Sequence, residues 1–165
     1  MRDQLENQRS RRSVCPDQYD EAYFLGSCEG YTEFIASEGE HLSRRMSQAL
    51  EAAEVLPGMR VLDVGCGRGE ILRHCAELGV QAHGVDYAPV AVRMARELTA
   101  GEEEASDRAG VYCADAKRLP FPSASFDRVL MFDLVEHLHP WELERALTEA
   151  RRVLYPDGRL IIHTA

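Results

Sequence analysis

The chain has 165 residues, enough for one domain with a core of its own, and 45% of them are apolar and 28% charged. Its 28 acids outnumber its 19 lysines and arginines, giving a net charge of −9, which argues against a protein that coats nucleic acid through a basic face. No apolar run approaches a membrane span and no signal-peptide pattern opens the chain, so no membrane contact is expected. The five cysteines include no C-x-x-C pair; neither a disulfide framework nor a zinc site is expected, and a reducing cytoplasm fits.

The basic stretch RSRR at 9–12 reads as a solvated end. YDEAYFLGSCEGY, 19–31, is aromatic and irregular, and residues from about Glu38 to Val55 read as a helix. Residues 1–55 therefore form a lid or helical segment ahead of a core at 56–165. RVLDV, 60–64, is a buried strand. EILRHCAEL, 70–78, sets Ile71, Leu72, Cys75 and Leu78 on one helical face, with Gly79 as its stop. VQAHGVD, 80–86, is a second strand. PVAVRMARELTA, 89–100, places Val90, Ala91, Met94, Ala95 and Leu98 at helical spacing behind Pro89.

GEEEASDRAG, 101–110, is a charged loop, VYCAD, 111–115, a third strand, and FDRVLMFDLV, from Phe126, holds a fourth. A helix runs from Pro140 with Leu143, Ala146, Leu147, Ala150 and Leu154 inward. YPDG, 155–158, is a turn, and RLIIHTA is a fifth strand, buried on both faces through Leu160, Ile161 and Ile162. Strands alternating with helices of this length predict an α/β fold: a doubly wound, mostly parallel sheet with an N-terminal helical lid.

The chemistry sits in VLDVGCGRGE, 61–70. Gly65, Gly67 and Gly69 follow a strand end carrying Asp63, so a ligand is expected to approach this backbone closely. A phosphate-binding P-loop would need a lysine that is absent. A dinucleotide loop would need glycine where Glu70 stands, which disfavours a nicotinamide-dependent enzyme. Asp86 ends the second strand about 20 residues on, where a carboxylate can accept from both hydroxyls of a ribose.

D-V-G-C-G-R-G, then G-V-D-Y at 84–87, A-D-A at 114–116 and F-D-R-V at 126–129 resemble, in order and spacing, the class I S-adenosylmethionine-dependent methyltransferases over about residues 55–165. The resemblance implies S-adenosylmethionine as cofactor and S-adenosylhomocysteine as product. A sulfonium ligand without phosphate needs no lysine and suits an acidic pocket. It implies that Gly65, Cys66 and Gly67 lie against the methionine part and ribose with Asp63 in support. Asp86 would hold the ribose, Tyr87 would pack on the adenine, and Asp115 would accept from the adenine amino group beside the backbone of Ala116. Phe132 and Asp133 would stand near the methionine end. For Asp115 an ordinary turn acid, and for Tyr87 simple surface packing, are competing readings.

The expected function is methyl transfer to a small-molecule acceptor by in-line displacement; the alternative is a cofactor-binding domain without activity of its own. DLVEHLHPW, 133–141, follows the fourth strand, and His137 is the candidate base, ahead of His139. Asp133-x-x-Glu136-His137 is similar to the E-x-x-E-H signature of enzymes that use a divalent metal, among them RNA ribose 2′-O-methyltransferases, with His163 as a further ligand. Asp133 stands where those enzymes have glutamate, so no metal is expected. Tyr19, Tyr23, Phe24 and Tyr31 are expected to close over the cofactor or to strap the sheet. The resemblance also places an antiparallel hairpin after the fifth strand, which this chain lacks. The chain is therefore expected to be a fragment, or to self-associate through the uncovered strand edge.

Overall fold

The structure is a computed structural model and describes residues 13, 15–28, 30–100 and 109–164. The basic stretch at 9–12 and most of the charged loop, 101–108, lie outside these.

Five strands form one parallel sheet: β1 (Arg60–Val64), β2 (Gln81–Asp86), β3 (Ala109–Cys113), β4 (Phe126–Phe132) and β5 (Leu154–His163), in the order β3-β2-β1-β4-β5. The apolar runs of the inner strands β1 and β4 are buried on both faces because helices cover both. Val61 and Leu130 point to one layer, where α3 (Arg44–Ala52), α4 (Glu70–Glu77) and α5 (Pro89–Thr99) contribute Leu50, Ile71, Leu72, Val92 and Ala95. Leu62, Val64, Val129 and Met131 point to the other, where α6 (Pro140–Val153) contributes Ala146, Ala150 and Val153. The doubly wound α/β architecture expected from the sequence is the one observed.

Ahead of the sheet, two short helices, α1 (Glu21–Phe24) and α2 (Tyr31–Ser37), precede α3. The long helix expected from Glu38 starts only at Arg44. Glu38 terminates α2 with φ 52°, and Ser43 opens α3 by accepting from the Met46 N–H at 3.3 Å.

Four further expectations are corrected. Leu78 does not face inward but is 48% exposed, because α4 ends at Glu77 and the chain turns out through Gly79 at φ 77°. β3 runs two residues earlier than expected, leaving Asp115 and Ala116 in the loop beyond it. Residues 155–158 do not break the last strand. Phe126 pairs Leu154 and Arg128 pairs Arg159, so these residues bulge from a continuous β5. Nor is β5 buried on both faces. It is an edge of the sheet, Leu160 and Ile161 are half-buried, and Ile162 is 45% exposed.

Candidate active site

The chain runs outward from β1 through β2 to β3 and then crosses back to β4 on the other side of β1, so strand order reverses at β1 and a crevice must open at its carboxyl end. The glycine loop lies there. The N–H groups of Gly65 and Cys66 both donate to the Val85 carbonyl, at 2.8 and 3.0 Å, tying the loop to β2. Gly65 has φ 82°, and a Cβ on it would stand 3.1 Å from Leu134 Cδ1. Gly69 serves packing: at φ 93°, a Cβ there would meet the Ala95 backbone at 2.9 Å, so its absence lets α4 approach α5.

Beyond the loop lies a cleft of about 1030 Å³ including its open mouth, within the range of small-molecule sites. Gly65, Cys66, Gly67, Asp86, Tyr87, Asp115, Ala116, Phe132, Asp133 and His137 all line it. Of the residues expected to bind the cofactor, Asp63 does not. It is buried beneath the loop, where burial first, then the neighbouring Asp86 and Glu70 charges, push its carboxyl up to about 7.

Asp86 does two jobs. Its Oδ2 accepts from the Gly67 N–H at 3.1 Å and its Oδ1 from the Ala88 N–H at 2.9 Å. Burial raises its pKa, opposed by these backbone bonds. The Tyr87 N–H donates to it as well, and the carboxylate's remaining lone-pair capacity can accept from a ribose hydroxyl.

At one end of the cleft, Asp115 Oδ1 accepts from the Lys117 backbone N–H at 2.8 Å, and the Lys117 ammonium lies 3.1 Å from Oδ2. That ammonium also donates to Glu142 Oε1 at 2.7 Å. Glu142 sits at the third position of α6, its side chain 2% exposed, and its other oxygen accepts from the His139 N–H at 3.1 Å. Burial pulls the Lys117 pKa down, and the two carboxylates raise it by more. Tyr87 meets Tyr19 edge to face, ring centroids 5.8 Å apart.

At the other end, Asp133 has φ 51° and its Oδ2 accepts from Arg45 at 2.6 Å; its Oδ1 lies 3.6 Å from His163 Nδ1. His137 Nδ1 lies 3.1 Å from the Tyr19 hydroxyl. Asp133, Glu136, His137 and His163 do not converge: no group of three or more His, Cys, Asp or Glu side chains that could hold a metal occurs among the described residues.

The N-terminal segment straps this site. Phe24 packs on Ala88 and Ala91 of the β2–α5 connection, and Tyr19 and Tyr23 line the cleft; Tyr31 does not. Its anchor is Arg68, which is buried. It pairs with Glu70 at 2.6 Å, donates to the Phe24 carbonyl at 2.7 Å and lies 4.6 Å from the Phe34 ring centroid. Arg68, Arg45, Lys117 and Glu142 were not legible as site residues, because their partners are remote in sequence or sit in irregular loops. Only Glu142 carried a signal, as the acid three residues after a helix cap.

A parallel sheet with a glycine loop at its switch point and a carboxylate at the end of the next strand is the arrangement of α/β domains whose ligand crevice lies at the carboxyl ends of the strands. The chain belongs to the Methyltransferase domain family, whose sequence model matches residues 62–162. It is 34% identical over 138 residues, 81% of this chain and 48% of the relative, to the 27-O-demethylrifamycin SV methyltransferase of Amycolatopsis mediterranei. It is 36% identical over 114 residues, 67% of this chain and 42% of the relative, to a ubiquinone/menaquinone biosynthesis C-methyltransferase of Bordetella avium. Among solved structures, the PH0226 protein of Pyrococcus horikoshii aligns with TM-score 0.68 at 26% identity, over 90% of this chain and 62% of that one. The chain thus spans about half the length of the curated relatives it matches. No helix among the described residues is long and apolar enough to cross a membrane.

Proposed function

We propose that the chain binds S-adenosylmethionine in this cleft and directs its methyl group to a small-molecule acceptor. The observation that carries the reading is Asp86, which braces the glycine loop through the Gly67 N–H while its carboxylate lines the cleft. The residues present fit the cofactor: glycines at Gly65 and Gly67 where side chains would narrow the crevice, acids around a cationic sulfur, and no lysine in the loop. The relatives' own acceptors, a rifamycin and quinone precursors by name, support a small molecule here.

When bound, the cofactor supplies an activated methyl carbon for in-line displacement. The chain's residues bind, orient and exclude water. Asp86 takes the ribose hydroxyls, Gly65, Cys66 and Gly67 admit the ribose and methionine part, and buried Asp63 supports the loop from below. Tyr87 covers one face of the adenine, Asp115 accepts from its amino group, and Ala116 borders the ring. Phe132 and Asp133 bound the methionine end. Holding donor and acceptor in line accounts for much of the rate. Where the acceptor must lose a proton, His137 takes it through Nε2, its Nδ1 being engaged by Tyr19. The described residues ahead of position 56 act as the strap and the sheet that follows as the binding core, and cysteines without a disulfide suit the cytoplasm.

Calorimetry with S-adenosylhomocysteine, followed by transfer of a labelled methyl group to a panel of phenolic, amine and enolic acceptors, tests the reading. Failure to bind would overturn it. Binding without transfer to any acceptor would favour the second reading, a cofactor-binding domain without turnover, which the half-length match to the relatives keeps in play.

A further inference from the structure

Lys117 reaches into the cleft from the loop beyond β3, and its surroundings are unusual for a lysine beside a cofactor without phosphate. Its side chain is only 16% exposed and its ammonium bridges two carboxylates from different elements, Glu142 of α6 at 2.7 Å and Asp115 of its own loop at 3.1 Å. Ser13 Oγ lies at 3.5 Å and the Trp141 ring centroid at 5.6 Å. Glu142 is the fixed point: it is buried, belongs to a helix and is held by the His139 N–H. Asp115 is the exposed partner, 45% exposed at its side chain and also accepting from the Lys117 backbone N–H.

A cation clamped between a buried carboxylate and an exposed one directs where the exposed one points. A carboxylate placed there offers acceptor oxygens to the cleft. Each Asp115 oxygen uses one lone pair locally and has one left. A group that donates at the purine edge would be welcomed there, and an acceptor in its place repelled.

We propose that Lys117 is a positioning residue for base recognition: braced by buried Glu142, it fixes the Asp115 carboxylate toward the cofactor's purine amino group and so sets the preference for adenine over its deaminated form. This rests on the cofactor reading above. Lys117 touches neither the base nor the methyl group; it acts through Asp115.

The test titrates the 165-residue chain by calorimetry with S-adenosylhomocysteine and with its deaminated analogue, in which an oxo group replaces the purine amino group. The parent is expected to prefer the amino form. The double variant Lys117→Met/Glu142→Gln removes the clamp without stranding a buried charge, and the glutamine still accepts at the helix cap. Its preference is expected to narrow about tenfold, the worth of a hydrogen bond to a charged group. Glu142→Gln alone provides a second arm should the double variant not fold, with narrowing of about threefold expected from a loosened lysine. A folded variant with the parent's preference would overturn the role of Lys117, as would a parent that binds both ligands equally. A parent that binds neither would overturn the cofactor reading instead, and that failure is recognisable because it appears before any substitution is made.

Discussion

The Gly67 N–H donates to Asp86 Oδ2 at 3.1 Å, so the residue proposed to hold the ribose also holds the loop that admits it. Removing the carboxylate therefore costs twice, once in a lost ligand contact and once in a loosened loop. Asp86→Ala is expected to weaken S-adenosylhomocysteine binding by about 1.5–3 kcal/mol, as for hydrogen bonds to a charged group. Calorimetry on the folded variant measures this, and unchanged affinity would remove Asp86 from the site.

Gly65→Val is expected to abolish cofactor binding. At φ 82° a β-branched residue is strained, and its Cβ would press on Leu134, which lines the same cleft. The sheet itself should form, since β1 ends before the substitution. A variant with native circular dichroism and normal affinity would show that the ligand does not approach this backbone.

Asp63 makes stability depend on pH with a definite sign. Its carboxyl is pushed up to about 7 in the fold against about 4 unfolded, so between these values the unfolded chain releases a proton that the folded one keeps. Its contribution to stability therefore falls as pH rises from about 4 to about 7 and is constant outside that window, by at most about 4 kcal/mol. Asp63→Asn should flatten this slope. Urea midpoints of both chains at pH 5 and 7.5 decide it; parallel slopes would mean that Asp63 is not the titrating group.

Arg68→Met strands the buried Glu70 carboxylate and releases the Phe24 carbonyl, for an expected loss of about 3–5 kcal/mol. Changing Glu70 to leucine in the same chain should recover much of it, because the stranded charge is then gone. Urea unfolding of single and double variants gives the comparison. If the single variant keeps the parent's stability, the pair does not anchor the strap.

Much of this molecule was readable before its coordinates. β1, β4 and the α4–α6 helices fell within a residue or two of expectation, because both-face burial leaves continuous apolar runs and helical faces repeat regularly. Asp86 and the glycine loop were readable because backbone geometry admits few residues there. What escaped was set by tertiary context. Nothing in DLVEHLHPW announced that Asp133 would turn to Arg45 or His137 to Tyr19, since those partners lie 88 and 118 residues earlier in the chain. Proline and glycine at 155–158 read as a turn, yet strand pairing on both sides absorbed them as a bulge.

That bulge divides the outer edge of β5 into unequal parts. Pro156 offers no N–H, and the residues around it are thrown out of line, so a foreign strand could lie in regular register only along Arg159–His163. Arg159 at the start of that stretch is already engaged with Glu54 at 2.9 Å, placing a hydrated ion pair where such a strand would have to begin. The edge that invites polymerisation by its length is thus shortened to little more than one hydrogen-bonded cycle of a ladder. Docking there would favour a partner that also covers the apolar side chain of Ile162 over another copy of this strand adding backbone alone.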